Sequence, residues 1–186
     1  MNGLVYDLEI VKGIPLGHKE EGVEYCDGWT DYANMGISVL CAYDFVSKSF
    51  RVFCQDNLQE FFELAAQRDP LIGFNSVGFD NNVLSCFGTL PEGKDYYDIL
   101  QEIYRTVGKR FKGSGLDAIC TLNGLGSKSG NGALAPVQWQ RGQIGSVIDY
   151  CLRDVRLTRD LFVLSQKAII KTPKGNLSLR KVDDAD

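Results

Sequence analysis

Apolar residues recur with two different periods along this 186-residue chain, and the changes of period mark out its elements. Leu4, Val5, Tyr6, Leu8 and Ile10 make a strand-like run, interrupted by Asp7 and Glu9 at alternate positions. Residues 35–44 and 50–53 predict two further strands, the last with period-2 alternation, and Ser47, Lys48 and Ser49 turn the chain between them. The period then lengthens. Leu58, Phe61, Phe62 and Ala65 fall on one face of a helix that runs to Arg68, with Asp56 or Asn57 as N-cap and Gln59 or Glu60 as its capping-box partner. Asp69-Pro70 stops that helix, residues 71–74 make a short buried strand, and residues 75–78 turn into a helix beginning near Phe79 and Asp80. Asp98 caps a helix reaching Val107, with Gln101 three residues on. A small helix over 116–122, a Gly- and Ser-rich loop over 124–132 and a bent helix over 145–167 follow. Residues 168–186 predict a hairpin with an acidic tail. The polar, Gly-containing stretch 11–34 predicts an inserted loop or flap anchored by Trp29 and Tyr32.

Three hairpin-linked strands followed by β-α-β units imply an α/β fold: a mixed sheet of about five strands, the first three antiparallel, flanked by α-helices. No linker or repeat divides residues 1–186, so one domain is expected. The right-handed crossover rule sets the fourth strand beside the first. Asn75 and the start of the next helix then lie near Asp7 and Glu9.

Composition narrows the chemistry. A net charge of −4 argues against binding nucleic acid by bulk charge, but leaves room for a local basic rim around acids neutralised by cations. Six cysteines occur without a CxxC pair, and the single histidine, His18, has no evident partner, so a zinc site is not expected. Most of the cysteines read as small core residues, which fits a reducing, cytoplasmic setting. Neither a signal peptide nor an apolar run long enough for a membrane span is visible.

Four acids remain as candidates for a site. Asp7 and Glu9, two apart on a strand, project to the same face and repel each other unless hydrogen bonds or a cation compensate; a wet edge strand is the simpler account. Asp80 lies just beyond a buried strand end, where groups gather in open α/β sheets, and helix capping is its alternative. Tyr150 and Asp154, four apart, share one side of a helix; a core tyrosine beside a solvated aspartate would look the same.

Taken in order, Asp7-x-Glu9, Asn75-x-x-x-Phe79-Asp80 and Tyr150-x-x-x-Asp154 resemble the three motifs of the RNase H-like 3′–5′ exonuclease superfamily, also called DnaQ-like or DEDD, the tyrosine marking its DEDDy branch. The stretch from Leu116 to Val155 is similar to the later half of that domain. Segments 11–34 and 168–186 depart from it. The resemblance implies a nuclease that holds two divalent cations, Mg²⁺ or Mn²⁺, on Asp7, Glu9, Asp80 and Asp154 and hydrolyses phosphodiester bonds of DNA or RNA to 5′-mononucleotides. It implies that Asp7 bridges the metals, Tyr150 orients the attacking water, and Leu8, Asn75 and Phe79 contact the terminal nucleotide of a single-stranded 3′ end. Arg105, Lys109, Arg110, Lys112 and Lys128 are either phosphate contacts or a solvated basic face, and Trp139 reads as packing. A separately encoded polymerase or helicase is the partner such an enzyme can serve; no membrane is involved. The alternatives are a non-catalytic nucleic-acid-binding or docking module of the same fold and an RNase H-like endonuclease.

Overall fold

Strand β1 (Leu4–Ile10) has hydrogen-bonded neighbours on both sides. In this computed structural model, which describes residues 1–15, 17, 19–127 and 132–182, β2 (Ile37–Asp44) pairs with β1 antiparallel and β4 (Leu71–Gly73) pairs with it parallel. β3 (Ser49–Phe53) lies antiparallel outside β2, and β5 (Tyr96–Asp98) parallel outside β4, so the sheet order is β3-β2-β1-β4-β5. Each hairpin neighbour is antiparallel, but β1 and β3 point the same way, so the first three strands are not all antiparallel to one another. β2 alone opposes the rest. The wet-edge account of Asp7 and Glu9 does not hold, because their strand is the central one of five.

Strand parity sorts the core into two layers. Leu4, Tyr6 and Leu8, with Leu40, Ala42 and Leu71, face α2 (Leu58–Ala66) and α3 (Asp80–Leu84). Val5, with Val39, Cys41 and Ile72, faces α4 (Ile99–Val107), α5 (Leu116–Leu122), α6 (Ala135–Gln140) and α7 (Ile144–Lys167). Asp7 and Glu9 share the parity of Val5 and therefore point toward α7, which packs across β1 and β2. The helix expected over 145–167 is present as α7, one uninterrupted helix of 24 residues. At α2, Asn57 occupies the N-cap position but its Oδ1 accepts the Cys54 N–H at 2.7 Å, so the expected capping box does not form.

The inserted stretch 11–34 is braced against the body at its described residues. It folds back on itself through Gly13 N–H to Glu24 O and Cys26 N–H to Gly13 O, both 3.0 Å. Its return is a short helix, α1 (Tyr32–Met35). From α6, the Gln140 amide donates to Val11 O at 2.8 Å and Glu24 O at 3.1 Å and accepts from Glu24 N–H at 2.7 Å. Arg141 adds an ion pair to Glu20 at 2.6 Å. Its anchors in the core are buried Cys26 and, as expected, Tyr32, which packs against the layer under α2 and α3; Trp29 is instead 59% exposed.

The expected C-terminal hairpin is present as β6 (Ile170–Thr172) and β7 (Gly175–Leu177). Beyond it Arg180 clasps the body, bonding Asp95 at 2.8 Å and Glu102 at 3.2 Å with its guanidinium over the Tyr97 ring. No helix among the described residues is long and apolar enough to cross a membrane. His18, Lys128 and the acidic tail 183–186 lie outside the described residues.

Candidate functional site

Two periodicities meet at the centre of the sheet. The 2.0-residue period of β1 turns Asp7 and Glu9 to one face, and the 3.6-residue period of α7 turns Tyr150, Cys151 and Asp154 down onto it. Asp7, Glu9 and Asp154 each present a carboxylate oxygen, and the three oxygens lie within 4.8 Å of one another. Asp154 is 4% and Glu9 9% exposed, so water screens their repulsion poorly. Oxygens around Mg²⁺ at about 2.1 Å sit roughly 3–4 Å apart.

Cys151 completes the floor. Its thiol donates to the Asp7 carbonyl oxygen at 3.3 Å, with Asp7 Oδ2 at 3.7 Å. Burial pushes this thiol well up, helped by Cys41 and by the charges of Asp7 and Glu9, so it stays a protonated donor. Cys41 stands directly opposite Asp7 in the β1–β2 ladder. Sequence reasoning treated both cysteines as core fillers. The signal that marks Cys151 is its i, i+3 spacing from Asp154 on one helix face.

Asp80 reaches the same stretch of β1 from the other layer, near Asp7 and Glu9 as the crossover rule expects. β4 pairs with β1 only at Leu4 and Val5, which leaves the next stretch of that β1 edge open. There Asp80, from α3 on the opposite layer, accepts the Leu8 N–H at 3.0 Å. Burial pushes its pKa up to about 7; that hydrogen bond lowers it, and the charges of Asp98 and Asp154 raise it. Asp80 is thus within electrostatic reach of the triad, but the Leu8 amide expected to face a nucleotide is committed to it.

Asn75 takes a left-handed conformation, φ 64°, in the turn after β4. Gly73 is required there, because a β-carbon on it would lie 2.3 Å from Ser76. Asp98 pins the turn. Its Oδ1 accepts from Asn75, Leu100 and Gln101 N–H at 2.9, 3.0 and 3.2 Å, and its Oδ2 from Val77 N–H at 3.1 Å. The N-cap expected of Asp98 is therefore present, and it also ties α4 to the turn that leads into α3.

Phe79 and Glu9 border a cavity of about 440 Å³ that Leu8 also lines. Gly132 closes its rim, and a β-carbon there would lie 3.0 Å from the Tyr150 hydroxyl, which places that hydroxyl beside the cavity. Trp29 and Tyr32 both meet the Phe79 ring edge-on at 6.3 Å. The basic residues gather elsewhere. Arg105, Lys109 and Arg110 line a separate depression at the end of α4, where Arg105 pairs with Glu102 at 2.7 Å and Arg110 lies over the Tyr104 ring. Trp139 packs against the core layer under α7.

Compared with protein-family models the chain matches none, and among curated proteins no relative matches it.

Proposed function

We propose that this chain is a two-metal-ion-dependent 3′–5′ exonuclease of RNase H-like fold, hydrolysing phosphodiester bonds of DNA or RNA to 5′-mononucleotides. The observation that carries the reading is the convergence of Asp7, Glu9 and Asp154 from distant parts of the chain, with Tyr150 one helical turn away. The five-stranded mixed sheet with helices on both faces is the frame this reading expects. An all-carboxylate donor set suits Mg²⁺ or Mn²⁺ and needs no histidine. Asp7, Glu9 and Asp154 would hold one ion, and Asp7 and Asp80 the other. When bound, such ions supply an activated water and stabilise the leaving oxygen.

The protein's own groups do the positioning. A phenol of pKa about 10 is a poor base at neutral pH, so Tyr150 orients the attacking water by a hydrogen bond rather than deprotonating it. The Cys151 thiol fixes Asp7 from below. Asp80 is held by the Leu8 N–H at the open edge of β1. Phe79 presents an apolar edge to the cavity next to Glu9, where a terminal nucleotide would rest. Asn75 contributes through its turn, which Asp98 holds in place.

Oligonucleotides labelled at the 5′ or 3′ end test the reading. With Mg²⁺ or Mn²⁺, stepwise shortening from the 3′ end and mononucleotide release are expected, with circular single strands left intact. Asp7→Asn and Asp154→Asn should each lower the rate about 100-fold or more, while the metal-free melting temperature stays equal or rises as carboxylate repulsion is relieved. Folded protein with no metal-dependent product would overturn the proposal. Cutting of circles would make it an endonuclease, and stabilisation by metal without turnover a binding module.

A further inference from the structure

Trp29 is 59% exposed and sits at the wall of the 440 Å³ cavity that Glu9 also lines. An exposed tryptophan at a cavity mouth forfeits the burial that ordinarily justifies so large an apolar side chain. The loop carrying it is nonetheless built. Asp31 Oδ2 accepts the Asp27 N–H at 2.8 Å, Asp31 N–H bonds Gly28 O at 3.2 Å, and Gln140 clamps the base of the segment. Trp29 meets Phe79 at an interplanar angle of 72°, edge against face, so the two rings form a corner rather than a closed stack. Ile14 and Pro136 line the same cavity, and among the described residues no lysine or arginine does. A flat, largely uncharged group therefore suits it better than a phosphate does. The volume lies within the range of small-molecule pockets, about 300–1,000 Å³. Because Glu9 belongs both to the cavity lining and to the acidic triad, a bond held at the triad places its neighbouring group in the cavity.

We propose that Trp29, supplied by the inserted segment 11–34, stacks on the 3′-terminal nucleobase in this cavity and so restricts the enzyme to unpaired 3′ ends. The proposal rests on the exonuclease reading for the bond held at the triad. A base held against the Trp29–Phe79 corner has left its own helix, so a paired end must first open. Stacking is worth about 1–3 kcal/mol per base, roughly 5- to 150-fold in affinity.

The test uses the tryptophan itself as reporter. The chain has two tryptophans, so a Trp139→Phe protein reports Trp29 alone. Titrated in Mg²⁺ with AMP or dAMP, its fluorescence should be quenched saturably, and ribose 5-phosphate, which has no base, should leave it unchanged. In protein with Trp139 intact, Trp29→Ala should weaken mononucleotide binding about tenfold or more and Trp29→Phe much less. It should also raise KM for single-stranded ends and shrink the preference over paired ends, with the melting temperature unchanged. Absence of quenching, equal quenching by ribose 5-phosphate, or Trp29→Ala kinetics matching the wild type would overturn the proposal, even if the protein is an exonuclease. Base-dependent quenching in a protein that cleaves nothing would instead leave the pocket standing and remove the nuclease.

Discussion

Asp44, at the end of β2 and fully buried, shows how this chain tolerates a carboxylate without water. The Arg68 guanidinium grips it bidentately at 2.8 and 3.0 Å, and Val46 N–H and Ser47 Oγ add bonds at 3.0 and 2.9 Å. The Arg68 hydrogen bonds hold this carboxyl well below the usual range, against the opposing effect of burial. Because the folded-state pKa is depressed, the pair's contribution is complete above the unfolded value near 4 and is lost as pH falls through the folded value. Arg68→Met should therefore cost about 3–5 kcal/mol at neutral pH by stranding a buried charge. The gap to wild type should narrow at pH 3, as urea unfolding at the two pH values would show. Asp7, Glu9 and Asp154 contrast with this pair. They bring three carboxylate oxygens within 4.8 Å of one another.

Among the elements, those with several turns or a clear alternation were legible from side-chain pattern alone. β1, β2, α2, α5 and α7 all lie where their apolar spacing predicts. β5 was not foreseen, because a three-residue strand, Tyr96–Asp98, is too short to display a period. α6 escaped because Pro136 and two glutamines read as loop, although proline is well tolerated in a first helical turn. Asp98 joins these elements. It accepts four backbone N–H groups in part-buried hydrogen bonds, each worth about 1 kcal/mol net. Asp98→Ala should therefore destabilise by at least about 3 kcal/mol. Asp98→Asn should cost less, because an amide oxygen can still serve the three donors at Oδ1. Chemical denaturation of both variants checks the ordering, and equal losses would show that the Oδ1 bonds are not what holds the turn.

At the scale of the whole molecule, the acids of β1 and α7 could be nominated from sequence because strand and helix periods fix which way a side chain points. The way Asp80 reaches them could not, since it depends on β4 ending early and exposing one backbone amide of β1. Cation binding to the folded state alone would raise stability by about 2.7 kcal/mol at a hundred times Kd. In a chain of this size that is roughly 5–10 °C in melting temperature. Mn²⁺ or Mg²⁺ should produce such a rise in wild type and EDTA should reverse it, whereas Asp7→Asn should show little; an equal rise in that variant would place the ions elsewhere. The docking of α7 over β1 has a consequence in time. A chain still emerging from the ribosome presents Asp7 and Glu9 long before Asp154 exists, and no fragment ending before α7 can bring the three together. The acidic centre therefore cannot form before α7 has been made. On the proposed reading, metal-dependent activity would double as a report that these long-range contacts have closed.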